Sequence, residues 1–149
     1  MATSTKRKRI LVDTDAFVAL YNREDSNHTR AKAISASIVK EGNLPILSVF
    51  SYGESITVIS QKVGRSYALQ YMDDINRGNA YILEAELGIV KKGEEVYKRQ
   101  TSKNVSFTDC VNMAIMKQEG IEEIFSFDAD YKKNGFLRLG IDTKLEDEK

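Results

Sequence analysis

A chain of 149 residues with 42% hydrophobic and 30% charged content has the makeup of one ordinary globular domain, and its 22 basic and 22 acidic residues leave no net charge to attract nucleic acid in bulk. One cysteine (Cys110) and one histidine (His28) exclude an internal disulfide and any zinc site built from either residue, and argue against Ser-His-Asp or Cys-His catalysis. No run approaches the ~20 apolar residues of a spanning helix, and the apolar stretch after the basic start is too short for a signal peptide, so a cytoplasmic protein is expected.

In chain order, Lys6-Arg7-Lys8-Arg9 comes first; it reads as a solvated arm over 1–8 or, on a second reading, as a phosphate contact. Arg9 to Val12 is a short apolar strand, and Thr14 to Arg23 carries Phe17, Leu20 and Tyr21 at helical spacing. Ser26 is a good N-cap for a second helix that runs to about Lys40 and stops at Gly42. Pro45 to Ser48 reads as a buried strand. Val49 to Val63 follows as a helix, with Val49, Tyr52, Ile56, Ile59 and Val63 on an apolar stripe and a polar strip near Ser51, Ser55 and Lys62. Ser66 to Asn76 is another helix, closed by Gly78, and Ala80 to Leu83 is the third strand. A long basic helix is expected from Glu86 to about Ser102, then one from Phe107 to Gln118, capped by Gly120. Glu123 to Phe127 is the fourth strand, Phe136 to Leu139 a short last one, and 142–149 an acidic, solvated tail. Strands separated by helices predict an α/β fold: a parallel sheet of four to five strands with helices on both faces and a site beyond the strands' carboxyl ends.

Four acidic residues suit that edge. Asp13 ends the first strand and Asp128 follows the fourth, while Asp109 opens a helix in Ser106-Phe107-Thr108-Asp109-Cys110. Each has a plainer role open to it: Asp13 as a helix cap, Asp109 in a capping box with Ser106, Asp128 with Asp130 at a turn. Glu54 has Phe50 and Val58 at i−4 and i+4, and a carboxylate between them is costly to bury unless paired or bound to a cation. Asn112, on Asp109's side of its helix, adds a polar group. An all-oxygen set of this kind suits a hard divalent cation, Mg²⁺ or Mn²⁺. Crowded carboxylates without a cation should raise at least one pKa, so Asp109→Asn should raise the metal-free melting temperature.

These segments, in this order and at these separations, resemble the PIN-domain family of Mg²⁺/Mn²⁺-dependent ribonucleases, particularly the VapC-like toxins of prokaryotic toxin–antitoxin pairs. The resemblance runs from about Arg9 to Ile141, and makes 9–141 a nuclease domain of three-layer α/β/α form. It implies that Asp13, Glu54, Asp109 and Asp128 line a catalytic metal site, with Thr14 and Ser106 as polar supports and Asp130 as a secondary acid. It further implies RNA as substrate, a homodimer and a small antitoxin as partners, and cleavage that leaves a 5′ phosphate and a 3′ hydroxyl without a protein nucleophile. Asp15 is a departure, standing where many members have a small or hydroxyl residue. Cations for the substrate phosphates would come from Lys91, Lys92, Lys98, Arg99 and Lys103 on the long helix and from Lys132 and Lys133, against the plainer reading of a solvated face. Two rivals remain: a non-catalytic PIN-like module that binds RNA or a partner, and a phosphohydrolase resembling the haloacid dehalogenases. The latter would use Asp13 as nucleophile and Ser48 as its hydroxyl motif, and leaves Glu54 without a role.

Overall fold

The computed structural model describes residues 7–149; Met1 to Lys6, most of the expected basic arm, lie outside the described residues. Strand β1 (Arg9–Val12) is only four residues long, yet Ile10, Leu11 and Val12 are all at most 3% exposed. Successive side chains of a strand point to opposite faces, so burial of all three requires cover on both sides. That cover comes from the centre of a five-stranded sheet. β2 (Leu44–Ser48) and β3 (Tyr81–Leu83) lie to one side, and β4 (Glu123–Phe125) and β5 (Leu137–Arg138) to the other, in the order β3-β2-β1-β4-β5. Every neighbouring pair is parallel, with Leu11 opposite both Ile46 and Ile124.

Ile10, Val12, Leu47 and Phe125 point to the face covered by α1 (Thr14–Tyr21), α2 (His28–Lys40), α3 (Val49–Lys62) and α4 (Arg65–Asp74). Leu11, Ile46 and Ile124 meet α5 (Leu87–Lys98), α6 (Phe107–Glu119) and the short α7 (Ala129–Lys133). The fold is therefore the expected three-layer α/β/α, with the fifth strand present. On the first face, Tyr71 is fully buried, with the rings of Phe17, Tyr21 and Tyr52 centred 5.0, 5.7 and 5.8 Å from its own. Burial of such side chains contributes roughly 1.5–3 kcal/mol each. No helix among the described residues is long and apolar enough to cross a membrane.

Four local expectations are corrected. On α3 the buried stripe is Ser51, Ser55 and Ile59, while Val49 and Phe50 are 44% and 37% exposed. Small serines face the neighbouring helices there, and Ser51 enters a buried polar network, which helical periodicity alone does not register. Helix α5 ends at Lys98 rather than near Ser102: Gln100 folds back to donate to the Val96 carbonyl (3.1 Å) and exchanges two amide bonds with Asn134. Helix α7 was not anticipated, being a five-residue turn capped by Asp128. The acidic tail is not a free arm. Leu145 is buried, Glu148 makes two 2.8 Å bonds to Arg30, and Asp147 pairs with Lys40 at 2.9 Å. In the described part of the basic block, Lys8 pairs with Glu123 and Arg9 donates to the Glu119 carbonyl at the start of β1. That is the sheet edge opposite Asp13.

Helices α5 and α6 cross most tightly at Gly93, where a Cβ would lie 2.8 Å from Val111 Cγ2 and 3.2 Å from its Cα. Alanine favours a helix by about 1 kcal/mol over glycine, but the backbone contact forbids simple accommodation. Gly93→Ala is therefore expected to lower stability by about 1–2 kcal/mol in urea denaturation; a stabilised variant would contradict this packing.

Candidate active site

The chain runs from β1 outward through β2 and β3, then returns to β4 on β1's other side. Beyond the carboxyl ends of β1 and β4 lies the switch point where α/β sheets leave a crevice. An open cavity of about 400 Å³ occupies it, lined by Asp13, Thr14, Asp15, Asp25, Glu54, Val58, Gln61, Lys62, Ser106, Asp109 and Asp128 among others. All four expected carboxylates, with both expected polar supports, are thus brought to one cavity from positions up to 115 residues apart in the sequence.

Three of the acids sit at helix N-termini. Asp13 caps α1 and its Oδ1 accepts from the Thr14 N–H (2.9 Å). Asp109 closes a capping box at α6, its Oδ2 accepting from the Ser106 N–H (3.2 Å) while Ser106 Oγ accepts from its own N–H (3.0 Å). Asp128 caps α7 through Oδ1 and the Asp130 N–H (2.9 Å). The plainer roles are therefore real, and they coexist with a place in the cavity. Glu54 reaches it from the middle of α3 and is half-buried.

Beneath the cavity lies a sealed polar layer. Asn112, fully buried, donates through Nδ2 to Asp13 Oδ1 (3.4 Å) and Tyr131 Oη (3.1 Å), and its Oδ1 accepts from Ser48 Oγ (3.0 Å) and Ser51 Oγ (3.4 Å). Tyr131 Oη in turn donates to Asp109 Oδ1 (3.1 Å). Ser126 Oγ donates to Asp13 Oδ2 (3.0 Å) and accepts from the Asp128 N–H (3.1 Å). Asn112 thus supports the site from below rather than lining it. Tyr131 and Ser126 were not singled out from the sequence. A signal for Ser126 existed, a small polar residue between Phe125 and Phe127 at a strand end; none marked Tyr131.

Asp15 also turns inward, its Oδ2 accepting from the Phe127 N–H (3.0 Å). Its Oδ1, like Thr14 Oγ1, is buried without a hydrogen-bond partner among the described residues. Burial, with Asp128 and Asp109 nearby, pushes its carboxyl up to about 6 against the pull of the Phe127 and Ser126 bonds. Asp13, 5% exposed, is raised well above the ordinary range by burial and then by Asp15 and Asp109. Asp109 is raised by burial and by Asp128, despite its bonds to Ser106 and Tyr131.

Among the described residues none of Asp13, Asp15, Asp109 and Asp128 has an ion-pair partner. The donor set, all oxygen and anionic with two orphaned buried oxygens beside Asp13, fits a hard divalent cation. As placed, the side chains do not yet close on one point: no three acidic, histidine or cysteine groups among the described residues form a set that would hold an ion. Their rotamers are engaged by cap and hydroxyl donors instead.

The other expected groups fall elsewhere. Lys91 pairs with Glu94 (3.1 Å) and Lys98 with Glu95 (3.2 Å), and Lys92 bonds Gln118 (2.8 Å) in a separate depression. None of Lys91, Lys92, Lys98, Arg99, Lys103, Lys132 and Lys133 lines the cavity; the basic residue that does is Lys62. Asp130 lies outside it and 3.9 Å from Lys133. His28 holds α2 to α1 through Nδ1 and the Ala19 carbonyl (2.7 Å), away from the carboxylates. Ser48 is sealed under Asn112, which removes it as a hydroxyl motif.

Comparison with known proteins matches residues 10–137 to the PIN domain. The chain belongs to the PIN-domain family. Among PIN relatives, the 23S rRNA-specific endonuclease VapC20, found in two strains of Mycobacterium tuberculosis, is 25% identical over 132 residues, covering 87% of this chain and 97% of its own. The crystal structure of Mycobacterium tuberculosis VapC20, described as a Sarcin-Ricin loop cleaving toxin, superposes with a TM-score of 0.78 at 24% identity, covering 86% of this chain and 96% of that one. VapBC2 from Rickettsia felis, solved bound to a DNA fragment from its promoter, gives 0.60 at 12% identity, over 87% and 96%. These two structures share the PIN fold.

Two outcomes follow from the site's electrostatics. A carboxyl whose folded pKa is raised favours the fold when protonated. Its contribution is full below the unfolded value near 4 and is lost as the pH rises through the folded value. With Asp15 near 6 and Asp13 and Asp109 shifted the same way, the metal-free protein is expected to lose on the order of 2 kcal/mol between about pH 4.5 and 7. Urea midpoints measured in chelator across that range test this; a flat or rising profile would contradict it. Asn112→Leu keeps the branched outline but adds methyl bulk and removes the partners of Ser48, Ser51 and Tyr131, and should cost about 2–4 kcal/mol by the same assay.

Proposed function

We propose that this protein is a divalent-metal-dependent endoribonuclease of the toxin type, hydrolysing RNA phosphodiester bonds at the cavity bounded by Asp13, Glu54, Asp109 and Asp128. The observation that carries this reading is the charge of the cavity: six carboxylates (Asp13, Asp15, Asp25, Glu54, Asp109, Asp128) to one ammonium, Lys62, at the switch point of the sheet. Such a cavity repels a polyanion until a cation is bound. The rRNA endonuclease named among the relatives supports RNA as the substrate.

Asp13, Glu54, Asp109 and Asp128 would hold Mg²⁺ or Mn²⁺, with Asp15 Oδ1 and Thr14 Oγ1 as the unengaged oxygens beside them. Bound there, the ion would lower the pKa of a water so that it loses a proton and supplies hydroxide as the nucleophile, and would offset charge on the scissile phosphate. The chain's own residues supply position. Ser126 and Asn112 hold Asp13, Ser106 and Tyr131 hold Asp109, and the Ser126 hydroxyl fixes the backbone of Asp128. Neither His28 nor Cys110 lines the cavity, in keeping with hydrolysis by water that leaves a 5′ phosphate and a 3′ hydroxyl. The same proposal includes cytoplasmic action, a homodimer and a small antitoxin partner. Tyr67 and Leu69, about half exposed on α4, offer apolar surface for such a contact.

The test is incubation of purified protein with end-labelled single-stranded RNA, with and without Mn²⁺ or Mg²⁺, beside Asp109→Asn. Metal-dependent cleavage to 5′-phosphate ends, lost in the variant, is the expected result. RNA binding without cleavage, and no rise in melting temperature with Mn²⁺, would replace this reading with a non-catalytic binding module.

A further inference from the structure

Helix α3 carries Phe50, Glu54, Val58 and Lys62 at successive i+4 steps, so each lies beside the next in a row that winds roughly 120° around the helix from Phe50 to Lys62. Glu54, Val58 and Lys62 line the carboxylate cavity, and Phe50, 37% exposed, lies one turn before Glu54. Lys62 is exposed and has no ion-pair partner among the described residues, whereas Lys91 and Lys98 are spent on glutamates of their own helix. Twelve residues of helix span about 18 Å. The stripe therefore sets a free ammonium at one end, an open aromatic ring at the other, and a cavity carboxylate between them.

Ammonium and ring are the two groups that hold an unpaired nucleic-acid strand, one through its phosphate and the other through the face of a base. We propose that the RNA strand follows this winding row of α3, with a backbone phosphate at Lys62 and an unstacked base on Phe50. The proposal rests on the ribonuclease reading. Each residue also has an ordinary role to be set against it. Lys62 stands in the last turn of α3, where a cation complements the helix dipole, and Phe50 could meet a second copy of the chain.

The experiment is fluorescence anisotropy with a fluorescein-labelled, unstructured 12-nucleotide RNA, on the Asp109→Asn protein with Mg²⁺, from 50 to 200 mM NaCl. Lys62→Gln is expected to weaken binding several-fold at the lowest salt and to reduce the log–log salt slope by about 0.7, one phosphate contact on a single strand. Phe50→Ala should weaken binding roughly 5- to 100-fold with the slope unchanged, and Phe50→Tyr should restore it. Lys91→Gln should match the parent, and light scattering should give every variant the parent's mass. Parent-like affinity in both Lys62→Gln and Phe50→Ala would overturn the proposal. So would a lower melting temperature for Lys62→Gln with unchanged affinity, or a changed mass for Phe50→Ala. If wild-type protein still cleaves RNA in those cases, only the strand path falls; if it neither binds nor cleaves RNA, the ribonuclease reading falls first.

Discussion

Repulsion among carboxylates crowded at the carboxyl edge of the sheet is the constraint around which the rest of the molecule is arranged. Asp13 and Asp109 are at most 8% exposed, and Asp15 and Asp128 are partly buried beside them with no cation paired to any of the four among the described residues. The fold reduces the cost by placing Asp13, Asp109 and Asp128 at the N-termini of α1, α6 and α7, where backbone N–H donors and the helix dipole favour negative charge. Those contributions are about 0.3–1 kcal/mol each and do not cancel burial, as the raised pKa values of Asp13, Asp15 and Asp109 show. The remaining deficit is carried by the apolar packing on both faces of the sheet. A divalent cation would remove it.

The buried layer under the cavity keeps the carboxylates from moving apart. Asn112 is the joint: a single amide bonds Asp13, Tyr131, Ser48 and Ser51, groups supplied by the ends of β1 and β2 and by α7 and α3. Half-satisfied networks of this kind are worse than an apolar core, so each member constrains the rest. Tyr131 and Ser126 then tie the β4–α7 segment to Asp109 and Asp13. Geometry at the cavity is thus set by residues that do not line it.

Positive charge is distributed by the same logic. Lys91 and Lys98 of α5 are each paired with a glutamate three residues away on their own helix, part of a solvated face worth little to stability. The basic residues at the start of β1 clamp the far edge of the sheet, and Arg138 is engaged by Asp142 and the Phe127 carbonyl behind the site. The cavity keeps one ammonium unpaired among the described residues, Lys62, which the sequence alone places only in a polar strip on its helix.

Local physics written along the chain was enough to place most of the elements and to name several of the side chains that line the cavity. Apolar runs of strand length between helical periods specify a parallel sheet, and an Asp directly after a buried strand must emerge at its carboxyl edge, so Asp13 was legible, as was the Ser106–Asp109 cap; Asp128 was placed at the same edge although its strand ends at Phe125, three residues earlier than Asp128. The sequence could not say which side of α3 would face inward, because Ser51 and Ser55 are buried for reasons that lie on other elements. Nor could it reveal the roles of Tyr131 and Ser126, the inward turn of Asp15, or the isolation of Lys62. The first three depend on partners far along the chain, as Asp13 and Asn112 do across 99 residues, and the fourth on no acid among the described residues reaching Lys62; only the assembled sheet decides which groups come within hydrogen-bonding distance.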